Sequence, residues 1–443
     1  MSDYHEPSHQ ATPLLTPSTS ASASASDSDS DSPERTSSIE LTHHGTANLA
    51  SCIANLSNTI LGTGMLAMAH AFAAGGLLLG LTTVILSGSM AYFGLTLLAH
   101  CSAHPSVPER QSSFFALASV TYPSAALFFD FAVALKCFGV AVSYLLIFGR
   151  LVPQLILSVS PKLNHTSTLL DRRLWIVLAM LLLVPLSFLR SLHSLRYTSY
   201  IALIAVIELV IVVVYKFFDR SGLDPPGEVD WIRFESGFVA AVPVYVFAYT
   251  CAQNIFSVQN ELIENTKPRM KIVLSTAIGG AALIYELIGT LGYLTFGSHV
   301  SSNLIADYHH SLLITTARAA ISLLVLFSYP LQLHPCRASL ENILGACKLR
   351  PSITTFVSLT ASLLLGTFLI AVNVSRLETV LGFVGSTGST TISYILPGVF
   401  FLKLFANSEE HKLMRIGARV LICSGCTIMA VCLGLNISNL HRA

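Results

Sequence analysis

The stretch Ser57-Asn58-Thr59-Ile60-Leu61-Gly62-Thr63-Gly64-Met65-Leu66 (SNTILGTGML) lies inside an apolar run from about Ala47 to Ala74. A bilayer needs about 20 such residues, so the run is long enough to cross one. Gly62 and Gly64 let the backbone leave helical geometry at low steric cost. Asn58, Thr59 and Thr63 place polar groups where lipid offers no partner. Non-helical backbone at membrane depth persists only where it is buried in protein or lines a wet cavity. An unwound segment there frees amides and carbonyls, and two half-helix ends turn their dipoles into the gap. Such a gap suits a zwitterion, with amides on its carboxylate and carbonyls on its ammonium. The competing reading is a tight helix–helix contact, since Gly-x-Gly lets helices approach closely.

The rest of the chain fits an all-α polytopic membrane protein. Of its 443 residues, 53% are hydrophobic and 11% charged, against about 25% charged in a soluble globule; the mean hydropathy is +0.66. A net charge of +1 gives no basic field for nucleic acid. Met1 to Leu41 is polar and unlike a cleavable signal, so the first span acts as the targeting signal. Residues 1–45 form a separate cytosolic tail. Its tract Ser18–Ser32 (STSASASASDSDSDS) has no apolar side chain larger than alanine and is expected to be disordered. It reads equally as an acidophilic phosphorylation tract or as a solvated tail. Leu14-Leu15 is a weak dileucine signal. The nine cysteines show no regular spacing, and no disulfide framework is expected. No GxSxG, HExxH, P-loop or paired-acid pattern points to an enzyme, and no His cluster has metal-ligand spacing.

From residue 46 to 440, eleven apolar runs follow one another, at about 47–71, 74–99, 124–151, 173–190, 198–218, 236–258, 271–296, 312–334, 353–373, 378–403 and 413–437. More than half of the Lys and Arg residues fall on the side of the N-terminus, which places that side in the cytosol. The sequons at Asn164, Asn373 and Asn436 then fall on the other side, where Asn164 and Asn373 are candidate glycosylation sites. A second interruption is expected in the sixth run. Pro243 removes a backbone donor there, and Tyr249, Thr250, Gln253 and Asn254 follow in mid-span, where polar groups need partners. A third candidate is Gly382–Thr391 in the tenth run. Breaks in runs one and six, five apart, are the pointer to an inverted-repeat carrier with its site at the midplane. Repeat one would cover about 46–220 and repeat two about 232–405, with an added helix at about 413–437. The expected substrate residues are Asn58, Thr59, Gly62, Thr63, Gly64, Tyr249, Thr250, Gln253 and Asn254.

Three segments resemble a known family. Asn55–Gly76 (NLSNTILGTGMLAMAHAFAAGG), Phe247–Leu262 (FAYTCAQNIFSVQNEL) and Tyr329–Arg337 (YPLQLHPCR) look like spans one, six and eight of the amino acid/auxin permease family. The nearest group is the fungal vacuolar amino acid transporters, related to the sodium-coupled neutral amino acid transporters. The resemblance implies secondary transport of amino acids on the leucine-transporter type of fold, coupled to H⁺ more than to Na⁺, with no cofactor. Members commonly carry His after the Thr-Cys of span six; this chain has Ala252, so any role of that His is absent or relocated. A cation site carried over from the family would use Asn58 and Ser328, which also read as ordinary helix–helix hydrogen-bonding residues.

Proton coupling needs a titrating group. Glu208 and Glu286 lie near mid-membrane, where burial disfavours ionisation; each reads equally as a neutral or paired bundle carboxyl. Lys136 must face a cavity or a partner, and either of these glutamates is a candidate partner. Asp130 is about 240° away round the same helix. Arg318, near a span end, is expected to snorkel. His299, His309 and His310 sit in a non-cytosolic loop and would protonate in an acidic compartment. The competing functions are sodium-coupled uptake at the plasma membrane and a nutrient receptor that signals through its tail.

Overall fold

The computed structural model describes residues 45–160, 168–188, 196–221, 223–346 and 352–442. The N-terminal tract and Asn164 lie outside them. Among the described residues there is no strand, only an isolated bridge between Ala47 and Leu262, and the chain is an all-α polytopic membrane protein. Its helices are α1 (Leu49–Ile60), α2 (Gly64–Gly75), α3 (Leu77–Ser102), α4 (Phe114–Thr121), α5 (Ala126–Val159), α6 (Arg172–Ser187), α7 (Arg196–Phe218), α8 (Ser236–Ala248), α9 (Ala252–Glu261), α10 (Lys267–Phe296), α11 (Leu304–Asp307), α12 (Leu312–Ala346), α13 (Ile353–Asn373), α14 (Leu377–Val384), α15 (Leu396–Leu404) and α16 (Lys412–Arg442). Seven described spans are long and apolar enough to cross a membrane unaided. The bent pair α1–α2 makes an eighth.

The elements follow from local chemistry. Asn48 caps α1 by accepting from the Ser51 amide at 2.8 Å, and Ser352 caps α13 from Thr355 at 3.1 Å, as helix starts favour. Between α2 and α3 the chain turns at Gly76, whose φ of +82° suits glycine. A Cβ there would also stand 2.9 Å from the Asp230 carbonyl oxygen.

The third interruption takes an unexpected form. Instead of unwinding, Gly385–Ser389 and Thr391–Ile395 form π-helical turns between α14 and α15. Side-chain hydroxyls occupy carbonyls along the widened stretch. Ser386 donates to Gly382 O at 2.7 Å, Thr387 to Phe383 O at 2.6 Å and Thr390 to Gly385 O at 2.6 Å. Ser/Thr back-bonding of this kind competes with the regular ladder, and π-turns recur at functional sites.

The bundle has two ends. At the end where α1 begins, Ala47 N donates to Glu261 O and Ile263 N donates to Ala47 O, each at 2.9 Å. Arg110 adds bonds to Asn260 O at 2.9 Å and Leu262 O at 3.2 Å. Here α1 packs on α9, whereas at the other end α2 packs on α8.

That other end is closed by the segment carrying α11. Arg318 does not snorkel: it is 1% exposed, and its guanidinium donates to the carbonyls of Ile305 (3.3 Å), Ala306 (3.4 Å) and Tyr308 (2.6 Å) and to His310 Nδ1 (3.0 Å). Four acceptors within the fold outweigh a reach to water. Asp307 holds Ser301 through its amide (2.8 Å) and hydroxyl (2.6 Å). His70 of α2 donates from Nδ1 to Val300 O at 3.0 Å, which makes it a structural tie.

This closure is expected to be acid-sensitive. Burial, then the Arg318 guanidinium and His309, hold the His310 imidazole below its ordinary value of 6.5. The unfolded segment therefore binds protons more readily, and stabilisation present above 6.5 is lost as pH falls through and below it. Burial raises the Asp307 carboxyl above 3.8 against the Ser301 hydrogen bonds; that term has the opposite sign and acts at more acid pH. Amide exchange of residues 301–310, corrected for intrinsic rate, should quicken between about pH 7.5 and about pH 5.5. His310→Gln should flatten the change, and a flat wild-type profile refutes the expectation.

Candidate functional site

The first break falls where the glycines lie. Leu61 leaves helical geometry at φ −78°, ψ +61°, Gly62 N turns back to Ile60 O at 2.8 Å, and the Met65 and Leu66 amides make only long turn contacts of 3.4 and 3.3 Å. The axis of α2 departs from that of α1 by 50°. The second break spans Tyr249–Cys251, between α8 and α9. The two breaks touch: a Cβ on Gly64 would lie 2.8 Å from both Cα and Cβ of Ala248. Four helix ends thus converge, the C-termini of α1 and α8 and the N-termini of α2 and α9. Their dipoles put partial negative and partial positive charge into one volume.

Two side-chain links fix the junction. Asn254, in the first turn of α9, donates to Thr59 Oγ1 at 2.7 Å, and Thr59 donates to Asn55 O at 3.0 Å. The Tyr285 hydroxyl of α10 lies 2.6 Å from Ile60 O and 2.9 Å from Ala248 O. One phenolic proton is therefore shared between the terminal carbonyls of both broken spans. The Tyr285 ring meets Tyr249 edge to face at 5.1 Å between centroids.

Several buried polar atoms at the junction have no hydrogen-bond partner among the described residues: Thr63 Oγ1, both amide atoms of Gln253, and the Tyr249 and Tyr245 hydroxyls. Buried polar groups are normally paired, so these are available to a polar guest. Thr250 donates to Val246 O at 2.7 Å and accepts from Ser393 of the π-helical stretch at 3.4 Å. The closest atom to a Cβ on Gly62 would be the Tyr144 hydroxyl, at 3.6 Å.

The structure therefore gathers Asn58, Thr59, Gly62, Thr63, Gly64, Tyr249, Thr250, Gln253 and Asn254 onto the residues of the two breaks or the turns flanking them. Glu286 lies near enough to Tyr249 to act on it electrostatically. Glu208 is half-buried on α7. Ser328 of α12, with Gln332, interacts with the Tyr144 hydroxyl. Neither candidate partner is taken up: among the described residues Lys136 pairs with neither glutamate, and it interacts electrostatically with Cys137 and Cys251. Asp130 interacts with Asn342 and Ser339, while its Oδ2 has no hydrogen-bond partner among the described residues. Asn373 is exposed at the end of α13, while Asn436 packs against Gly382 within the bundle. Tyr285 and Tyr144 were not singled out from the sequence. The available signal was a tyrosine in mid-span, whose hydroxyl must find a partner when buried.

Comparison with known proteins gives the family. A model described as transmembrane amino acid transporter protein matches residues 45–438. The chain belongs to that family. Among its relatives, vacuolar amino acid transporter 5 of Schizosaccharomyces pombe is 43% identical over 90% of this chain and 97% of its own length. Vacuolar amino acid transporter 5 of Saccharomyces cerevisiae is 35% identical over 82% and 90%. A sodium-coupled neutral amino acid symporter 2 of Danio rerio is 26% identical over 90% and 84%. These relatives of the transporter are carriers, not enzymes.

Proposed function

We propose that the protein is a proton-coupled carrier of amino acids across the vacuolar membrane, working by alternating access. One observation carries the reading: four helix ends meet with unpaired buried hydroxyl and amide groups, a setting with both signs of partial charge and no fixed ionic partner. It suits an α-ammonium and an α-carboxylate held together. The vacuolar membrane is supported by the names of the two yeast relatives. The first five spans and the next five, through Leu404, form an inverted repeat with α16 added, and the tail side faces the cytosol. Substrate then moves out of an acidic lumen with the proton gradient.

A second reading, sodium-coupled uptake at the plasma membrane, is favoured by the Danio rerio relative and by the oxygen ligands of Asn58 and Ser328. Counter-flow of labelled L-amino acids in proteoliposomes, with pH and Na⁺ varied separately, separates the two. Acceleration by an imposed pH difference, with no change when choline replaces Na⁺, is the expected result. The reverse pattern overturns proton coupling, and absence of any amino acid flux overturns both. An unchanged pH profile in Glu208→Gln or Glu286→Gln removes that residue from the coupling candidates.

A further inference from the structure

Lys136 is 2% exposed, ten residues into α5, and faces the meeting point of two departures from α-helical geometry. A Cβ on Gly388, in the first π-helical turn, would lie 2.9 Å from both Lys136 N and Lys136 Cβ. Lys136 also lies near enough to interact electrostatically with Cys251, the last residue of the break between α8 and α9.

Among the described residues the surrounding elements bring no counter-charge into ion-pair distance, Glu378 in the first turn of α14 included. On α5 itself the neighbour is the Cys137 thiol, while Asp130 makes no ion pair among the described residues and interacts with Asn342 and Ser339 of α12. The π-helical turns Gly385–Ser389 carry no titratable side chain. From α12, Cys336 is bound to Ala134 O at 3.3 Å, while Arg337 is held by Ser187 O (3.0 Å), Thr360 (3.2 Å) and Glu341 (3.8 Å). Arg172 of α6 is spent on the Val372 and Val374 carbonyls, each at 2.8 Å. No carboxylate lies within ion-pair distance of Lys136 among the described residues.

A buried ammonium without an anion is costly, whereas a neutral amine is only a small polar group. The charge state of such a lysine is set by whether it is occluded or wetted. Its position ties that wetting to the broken span and the π-helical span, the elements with the least regular backbone.

We infer that Lys136 is the proton-carrying group of the transport cycle. The inference rests on the proton-coupled reading above and puts Lys136 ahead of Glu208 and Glu286, which are half-buried. In each cycle Lys136–NH₃⁺ gives one proton to water on the cytosolic side and becomes Lys136–NH₂. The amine regains one proton from hydronium on the luminal side, and no other bond changes.

The test uses full-length Lys136→Met and Lys136→Arg in proteoliposomes with an equimolar mixture of labelled L-amino acids. Wild type should accumulate label in response to an imposed pH difference. Both variants should lose at least fivefold of that accumulation, while ungraded exchange persists in Lys136→Met. Gradient-driven accumulation at the wild-type level in Lys136→Met overturns the inference alone. Absence of any gradient response in wild type overturns the proton-coupled reading itself. If Lys136→Met does not exchange, thermal stabilisation of the purified variant by the same mixture is compared at two pH values. Stabilisation that keeps the wild-type pH dependence overturns the inference, and stabilisation that no longer varies with pH supports it.

Discussion

Tyr285→Phe is expected to slow amino acid exchange by about tenfold or more while leaving the protein folded. The ring that packs on Tyr249 stays, and only the hydroxyl shared by Ile60 O and Ala248 O is lost. Ile60 O keeps the Gly62 amide at 2.8 Å, so the deficit falls chiefly on Ala248 O at the end of α8. An unsatisfied buried carbonyl costs about 1–3 kcal/mol, equivalent to roughly 5- to 150-fold in an equilibrium between states. The variant should therefore redistribute the conformations of the junction more than it unfolds the bundle. Exchange rate and thermal midpoint measured on the same preparation check this. A wild-type rate shows that the hydroxyl does not govern the junction; a large fall in midpoint with no fall in rate per folded molecule gives Tyr285 a purely structural role.

Gly64→Val is expected to abolish exchange, and Gly64→Ala to reduce it severely. The first added carbon already meets Ala248 Cα and Cβ at 2.8 Å, and both atoms sit at a helix end that cannot yield like a flexible side chain. Overpacking of this kind costs about 1–3 kcal/mol per insertion, and here it separates the two breaks. Combining Gly64→Ala with Ala248→Gly should restore only part of the rate, because the Ala248 Cα obstruction remains. Substitution at Gly62 offers the contrast, since among the described residues only the Tyr144 hydroxyl lies within 4 Å of its Cβ position, at 3.6 Å. Equal losses at Gly62 and Gly64 would indicate that backbone freedom, not close approach, is what the stretch requires.

The location of the two breaks was legible because its signal is local. Small residues and uncompensated hydroxyls in an apolar run have few physical meanings; the first break falls at the glycines, and the second falls at Tyr249–Cys251, inside the marked stretch but beyond Pro243, which stays within α8. The π-helical form of Gly382–Thr391 was not legible. Hydroxyls can either terminate a helix or widen it, and the choice here follows from bonds such as Thr390 to Gly385 O. Partner identities were the weakest part. Arg318 reads as a snorkelling cation because sequence shows its depth but not the carbonyls of the α11 segment that fold over it. Lys136 reads as half of an ion pair because sequence cannot show that the facing turn is built from glycine, serine and threonine. Tyr285 was hidden for a similar reason: its role depends on two carbonyls 225 and 37 residues away in the chain.

The crosswise packing of the two broken spans has a mechanical meaning. Because α1 leans on α9 and α2 leans on α8, while α10 braces α1 and α2 alike, each half of the first span has a companion of its own in the sixth and one that the two halves share. A displacement delivered through the Ala47–Leu262 clasp reaches one couple and can die out at the glycine knuckle before disturbing the second. In the proposed alternating-access cycle, two doors hung on that common post would be worked one after the other, so that a passenger crosses without a draught blowing straight through.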